Sequence, residues 1–92
     1  MNIEYTTTGR IELHLTDDPD QFRNIAEMVR VILAGRWTEQ IDGLDQSYWD
    51  LDVQGTLITV HREHYLGVSV FCDDGAPQRL VLDQLRREFT LK

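Results

Sequence analysis

Residues 47–71 read SYWDLDVQGTLITVHREHYLGVSVF, the longest run of alternating, β-branched and aromatic sequence in the chain. Residues of this kind fit a pleated, half-buried surface, and the run divides into three antiparallel strands. Gln54-Gly55 supplies a two-residue turn, with glycine able to take the positive φ that hairpin turns demand. That turn sets Val53 opposite Thr56, Leu51 opposite Ile58 and Trp49 opposite Val60. Strand side chains alternate faces, so Trp49, Leu51, Val53, Ile58 and Val60 share the core face. The wetter face then carries Tyr48, Asp50, Asp52, Leu57, Thr59, His61, Ser69 and Phe71. A two-residue turn at Glu63-His64 would put Leu66, Val68 and Val70 on the wrong face, because a one-residue slip inverts a strand. An odd loop or bulge at residues 63–65 avoids this, and predicts Val60 opposite Val68 and Ile58 opposite Val70. Gly67 is read as part of that bulge.

Outward from this meander, the chain begins with a hairpin. Ile3, Tyr5 and Thr7 alternate with polar neighbours, as do Ile11, Leu13 and Leu15 beyond Thr8-Gly9-Arg10. Matching their apolar sides predicts an odd-length connection, with Tyr5 opposite Leu13 and Ile3 opposite Leu15. A helix follows. Asp18 is its cap, Pro19 suits the first helical position, and Gln21 completes a capping-box-like arrangement. Phe22, Ile25, Ala26, Val29, Ile32 and Leu33 fall on one helical face, and Gly35 stops the helix. Trp37, Glu39 and Ile41 alternate, which allows a short strand over 37–41 without requiring one, and Asp42-Gly43 marks a turn. A second helix starts near Pro77 with Val81, Leu82, Leu85 and Phe89 as its stripe. The order β-β-α-(β)-β-β-β-α predicts one α+β domain over residues 1–92: a two-layer sandwich of five or six mostly antiparallel strands with two helices on one face.

Composition narrows the function classes. The 92 residues carry nine basic and sixteen acidic side chains, a net charge of −7. An acidic chain without a basic stripe is a poor nucleic-acid binder, since phosphate affinity comes from Lys and Arg. No apolar run approaches the roughly 20 residues of a membrane helix, and MNIEYTTTGRIELHL has neither the basic leader nor the apolar block of a signal peptide. One cysteine, Cys72, excludes an internal disulfide framework and fits a reducing compartment, so the expected location is cytoplasmic.

Candidate chemistry is sparse. His61 and His64, with Glu63 between them, are the candidate metal ligands, but a three-residue separation across a strand and a corner is no recognised zinc spacing. The expected state is therefore free of metal and cofactor, with exposed histidines. Cys72 stands beside Asp73 and Asp74, whose charges suppress a thiolate, so it reads as structural rather than nucleophilic. Asp50 and Asp52 share a strand face and could act as acid and base or hold a cation; solvated strand carboxylates are the commoner case. No glycine-rich phosphate loop is present.

The stretches YWDLDV, LITVHRE and HYLGVSVF resemble a small family of uncharacterised bacterial proteins. The resemblance covers the central third of the chain and implies a single cytoplasmic domain with no assigned activity. In format, being small, acidic and α+β, the chain is also similar to immunity proteins that neutralise basic toxins. From Trp37 to His61 there are Glu39, Asp42, Asp45, Asp50 and Asp52 and no Lys or Arg. The expectation is a non-enzymatic interaction domain whose 37–52 surface recruits a basic protein, with Trp37, Tyr48 and Tyr65 as aromatic anchors. The alternative from another class is a small metal-binding protein or enzyme using His61, His64 and Asp50/Asp52. Homodimerisation through a sheet edge or the outer sheet face is a third reading.

Overall fold

A computed structural model describes residues 3–5 and 9–90. Its strands are β1 (Ile3–Tyr5), β2 (Arg10–Thr16), β3 (Arg36–Asp42), β4 (Gln46–Val53), β5 (Thr56–Glu63) and β6 (Gly67–Asp73). Two helices, α1 (Phe22–Leu33) and α2 (Ala76–Thr90), complete it. The six strands form one sheet in the order β1-β2-β6-β5-β4-β3, and every neighbouring pair is antiparallel. Helix α1 carries the chain from β2 to the far edge at β3, and the meander β3 to β6 then returns until β6 pairs with β2. The expected two-layer α+β architecture is the one observed.

The core lies between the sheet and both helices. Trp49, Leu51, Val53, Ile58, Val60, Val68 and Val70 meet Phe22, Ala26, Val29, Leu33, Leu82 and Leu85, all buried. The β4–β5 pairing is the one the sequence predicts, Val53 with Thr56, Leu51 with Ile58 and Trp49 with Val60, around Gln54 and Gly55 at φ +51° and +87°. Two positive φ values in succession match the right-handed twist of the strands they join.

Elsewhere the parity is right and the offset is not. The β5–β6 turn is odd in length, as expected, but its residues are 64–66 rather than 63–65. Val60 therefore faces Val70 and Arg62 faces Val68. Leu66, expected on the core face, sits in the turn and is exposed. The first hairpin behaves alike: Ile3 faces Leu13 and Tyr5 faces Ile11, two residues from the expected pairing. The expected strand position at Thr7 lies outside the described residues.

Gly67 serves a close approach more than a bulge. Its φ is +101°, and a Cβ there would collide with the carbonyl oxygen of Thr16. The irregularity in this part of the sheet falls on β2 instead, between His14 and Thr16.

At the start of α1 a single 3-10 turn, Pro19–Gln21, precedes the helix. Asp18 caps it, its carboxylate accepting from the Asp20 N–H at 3.0 Å. The capping box is not formed. The Asp18 N–H donates to Thr16 Oγ1 at 3.2 Å, and Gln21 Oε1 accepts from Asn24. Nor does Gly35 supply the left-handed residue that ends α1. Ala34 does, at φ 51°, while the Gly35 N–H donates to the Arg30 carbonyl at 3.0 Å. Gly35 is small for a different reason, since a Cβ would lie 2.6 Å from Leu51 Cγ. Residues 36–42, undecided by the sequence, are an edge strand paired with β4.

Candidate functional site: the open sheet face

Both helices cover the same face of the sheet, so the other face is left open. Strand alternation puts Arg36, Glu39 and Ile41 of β3, Tyr48, Asp50 and Asp52 of β4, His61 of β5, Ser69 and Phe71 of β6, and Glu12 and His14 of β2 on it. Cross-strand pairing aligns these into rows. One row runs Ile41, Tyr48, His61, Ser69, His14, and the next runs Glu39, Asp50, Thr59, Phe71, Glu12.

Aromatic packing holds the centre of this face. The Tyr48 ring stacks on His61 at 4.5 Å between centroids, and Phe71 meets both edge-on, at 6.4 and 5.8 Å. The Arg10 guanidinium lies 4.4 Å over Phe71. Burial under these rings pushes the His61 imidazole below its ordinary pKa, against the opposing pull of Glu63 and Glu12, so His61 is held neutral. Its Nε2 is buried and makes no hydrogen bond. Beside it a groove of about 390 Å³ is lined by His14, His61, Ser69, Glu12, Glu63 and Arg10, among others. His14 Nε2 pairs with Asp17 Oδ1 at 2.7 Å. Sequence reasoning missed His14, because only the β2–β6 pairing brings it beside Ser69.

The acidic segment divides between the two faces. Glu39, Asp50 and Asp52 are on the open face; Asp50 Oδ1 accepts from Thr59 Oγ1 at 2.7 Å, and Asp52 Oδ1 accepts from the Gly55 N–H at 3.0 Å. Asp45 is exposed in the β3–β4 turn. Asp42 and Trp37 face the helix layer. The Asp42 carboxylate accepts from the Trp49 indole N–H at 2.9 Å, and this bond, then Ser47, holds its pKa below the usual value. Trp37 packs edge-on against Trp49 at 5.4 Å. Both residues thus support the core, while Tyr48 remains partly exposed and Tyr65 is 84% exposed.

His61 and His64 do not converge. His61 lies under Tyr48, whereas the His64 ring packs against Tyr65 in the turn. Among the described residues there is no group of three or more His, Cys, Asp or Glu side chains placed to hold a metal ion. Cys72 is buried; burial first, then Asp73 and Asp74, pushes its thiol up to about 11, which makes it a poor nucleophile at neutral pH.

The sequence model of a family described as Protein of unknown function (DUF3630) matches residues 2–84 of the 92. The chain belongs to this family. That agrees with the resemblance carried by the meander and extends it from the central third to most of the chain. No curated protein and no solved structure matches it. No helix among the described residues is long and apolar enough to cross a membrane.

Proposed function

We propose that this chain is a non-enzymatic interaction domain that receives a basic protein partner on the β3–β4 half of its open sheet face. One observation carries the reading. Glu39, Asp50 and Asp52 share that face with Tyr48, and Arg36, opposite Asp52 at the start of β3, is the one basic side chain of β3 and β4. A surface with an excess of one sign steers an oppositely charged partner and raises its association rate. Tyr48, an aromatic among carboxylates, is the kind of side chain that anchors an interface. Neutralisation of a basic toxin in the bacterial cytoplasm, the immunity-protein role, is the form of partnership that such a small acidic domain fits. The uncovered edge strand β3 extends the same surface with unpaired backbone groups.

The test is affinity capture from cells followed by association kinetics with the identified partner. The association rate should fall by about tenfold or more as salt rises from about 50 to about 300 mM, because screening shortens the reach of the charges. A Glu39→Lys/Asp50→Asn variant, checked by circular dichroism for an unchanged fold, should lower the low-salt rate to near the high-salt value. A partner whose association rate ignores both changes would contradict the reading.

A further inference from the structure

We infer that the β3–β4 and β5–β6 turns form the apolar contact point of this surface, with Leu44, Tyr65 and Leu66 entering a partner's apolar pocket rimmed by Lys or Arg. The inference rests on the function just proposed and specifies where the partner's binding energy is concentrated. Exposed large apolar side chains are not spread evenly over the molecule. Eight are exposed among the described residues, and five of them (Ile41, Leu44, Tyr48, Tyr65 and Leu66) belong to these two turns or the strand segments beside them. Leu44 is 98% exposed, Tyr65 84% and Leu66 62%, so these three add little to the core. Single exposed apolar residues are unremarkable, whereas a concentration of them marks an interaction surface.

The turns are held in place before any partner arrives. The His64 N–H donates to the Asp45 carbonyl at 2.9 Å, which ties one turn to the other. The Gly43 N–H donates to the Gln46 carbonyl at 2.7 Å, and the Leu66 N–H to that of Glu63 at 3.2 Å. Arg62 braces the assembly from the helix side, donating through Nη2 to the Gly43 carbonyl at 3.0 Å and through Nε to the buried Ser47 hydroxyl at 3.2 Å. Turns whose backbone is already fixed need no loop ordering on binding, which is the property an anchor needs.

Charge selects the occupant. The rim carries Asp45 and Glu63, while the Arg62 guanidinium is bonded into the turn. A second copy would bring the same carboxylates against these, and an anionic lipid surface would likewise repel them. A protein pocket with a basic rim complements both the apolar tip and the charge around it.

The experiment pans a phage-displayed library of random peptides against the full chain and measures synthetic copies of the selected peptides by fluorescence anisotropy. The expected binders combine Lys or Arg with an aromatic or aliphatic residue. Leu44→Ser/Tyr65→Ser should weaken them by about tenfold or more, the loss expected for an anchor pair. Leu80→Ser, an exposed residue on α2, should leave the affinity within about twofold, as for a residue outside the interface. All three positions are exposed, so thermal unfolding of each variant should match the parent and exclude misfolding as the cause. Basic binders weakened by Glu39→Lys/Asp50→Asn but not by Leu44→Ser/Tyr65→Ser would overturn the turn-tip inference and leave the proposed function standing. Selected peptides with no excess of Lys and Arg, or no selection at all, would overturn both.

Discussion

Tyr48 and Trp49 are adjacent in sequence and belong to different layers, and only the two-residue period of a strand separates them. Trp49 is 9% exposed, packs edge-on against Phe22 at 4.8 Å and donates its indole N–H to Asp42. Tyr48 lies on the open face over His61. Trp49→Ala should therefore cost about 3–5 kcal/mol, the range for deleting a large buried aromatic. Tyr48→Ala should cost about 1 kcal/mol, the worth of one aromatic pair on a surface. Urea denaturation of both variants checks the order, and a larger loss for Tyr48 would mean that the faces are inverted. His61 makes a second prediction. Its folded-state pKa is depressed by burial below the ordinary 6.5, so below that pH the unfolded chain binds the extra proton. Stability is thus fully present above about pH 6.5 and is lost as pH falls through the lower folded value. His61→Phe removes that dependence together with a buried unpaired nitrogen, whose cost is about 1–3 kcal/mol. Its urea midpoint should equal or exceed the parent's at pH 7.5, and the gap should widen toward pH 5; parallel curves would refute the assignment. The faces of Tyr48, Trp49 and His61 were legible because each follows from local alternation. The orphaned nitrogen was not, since it depends on how three rings pack across β4, β5 and β6.

At the scale of elements, the sequence shows which residues pair with which face more readily than how far a hairpin slides. Shifting a strand by one residue inverts its faces, but shifting it by two leaves them unchanged. Periodicity therefore settles the odd parity of the β1–β2 and β5–β6 connections and leaves a two-residue ambiguity in each. The actual offsets follow from long-range constraints, such as the close approach of Gly67 to Thr16. The β4–β5 hairpin had no such freedom, because its turn residues fixed the offset locally. Helix α1 shows the same limit at its ends: the stripe was legible, while the roles of Gln21 and Gly35 depended on Thr16, Asn24 and Leu51. The cap geometry predicts that Asp18→Ala costs about 1 kcal/mol, because the Asp20 N–H loses its acceptor. Gln21→Ala should stay within about 0.5 kcal/mol, since the reciprocal capping-box bond is absent. Thermal or urea unfolding of the two variants distinguishes them, and equal losses would restore the capping box.

For the whole molecule, the sheet order β1-β2-β6-β5-β4-β3 is what gives the chain one closed side and one open side. It could not be read from local sequence, because the β2–β6 pairing joins segments more than fifty residues apart. That pairing also brings His14, Ser69 and His61 into one row and leaves β3 as an edge. The acidic run was visible in the sequence; its division between a core-supporting pair, Asp42 with Trp37, and an open-face set was not. In the proposed function, this open side, at its β3–β4 half and adjoining turns, is where a basic protein binds. Amide hydrogen exchange with and without the captured partner tests it most directly. Added protection is expected over residues 36–52 and 61–66, with α2 unchanged. Protection confined to α2, with none on β3, β4 or the two turns, would contradict it.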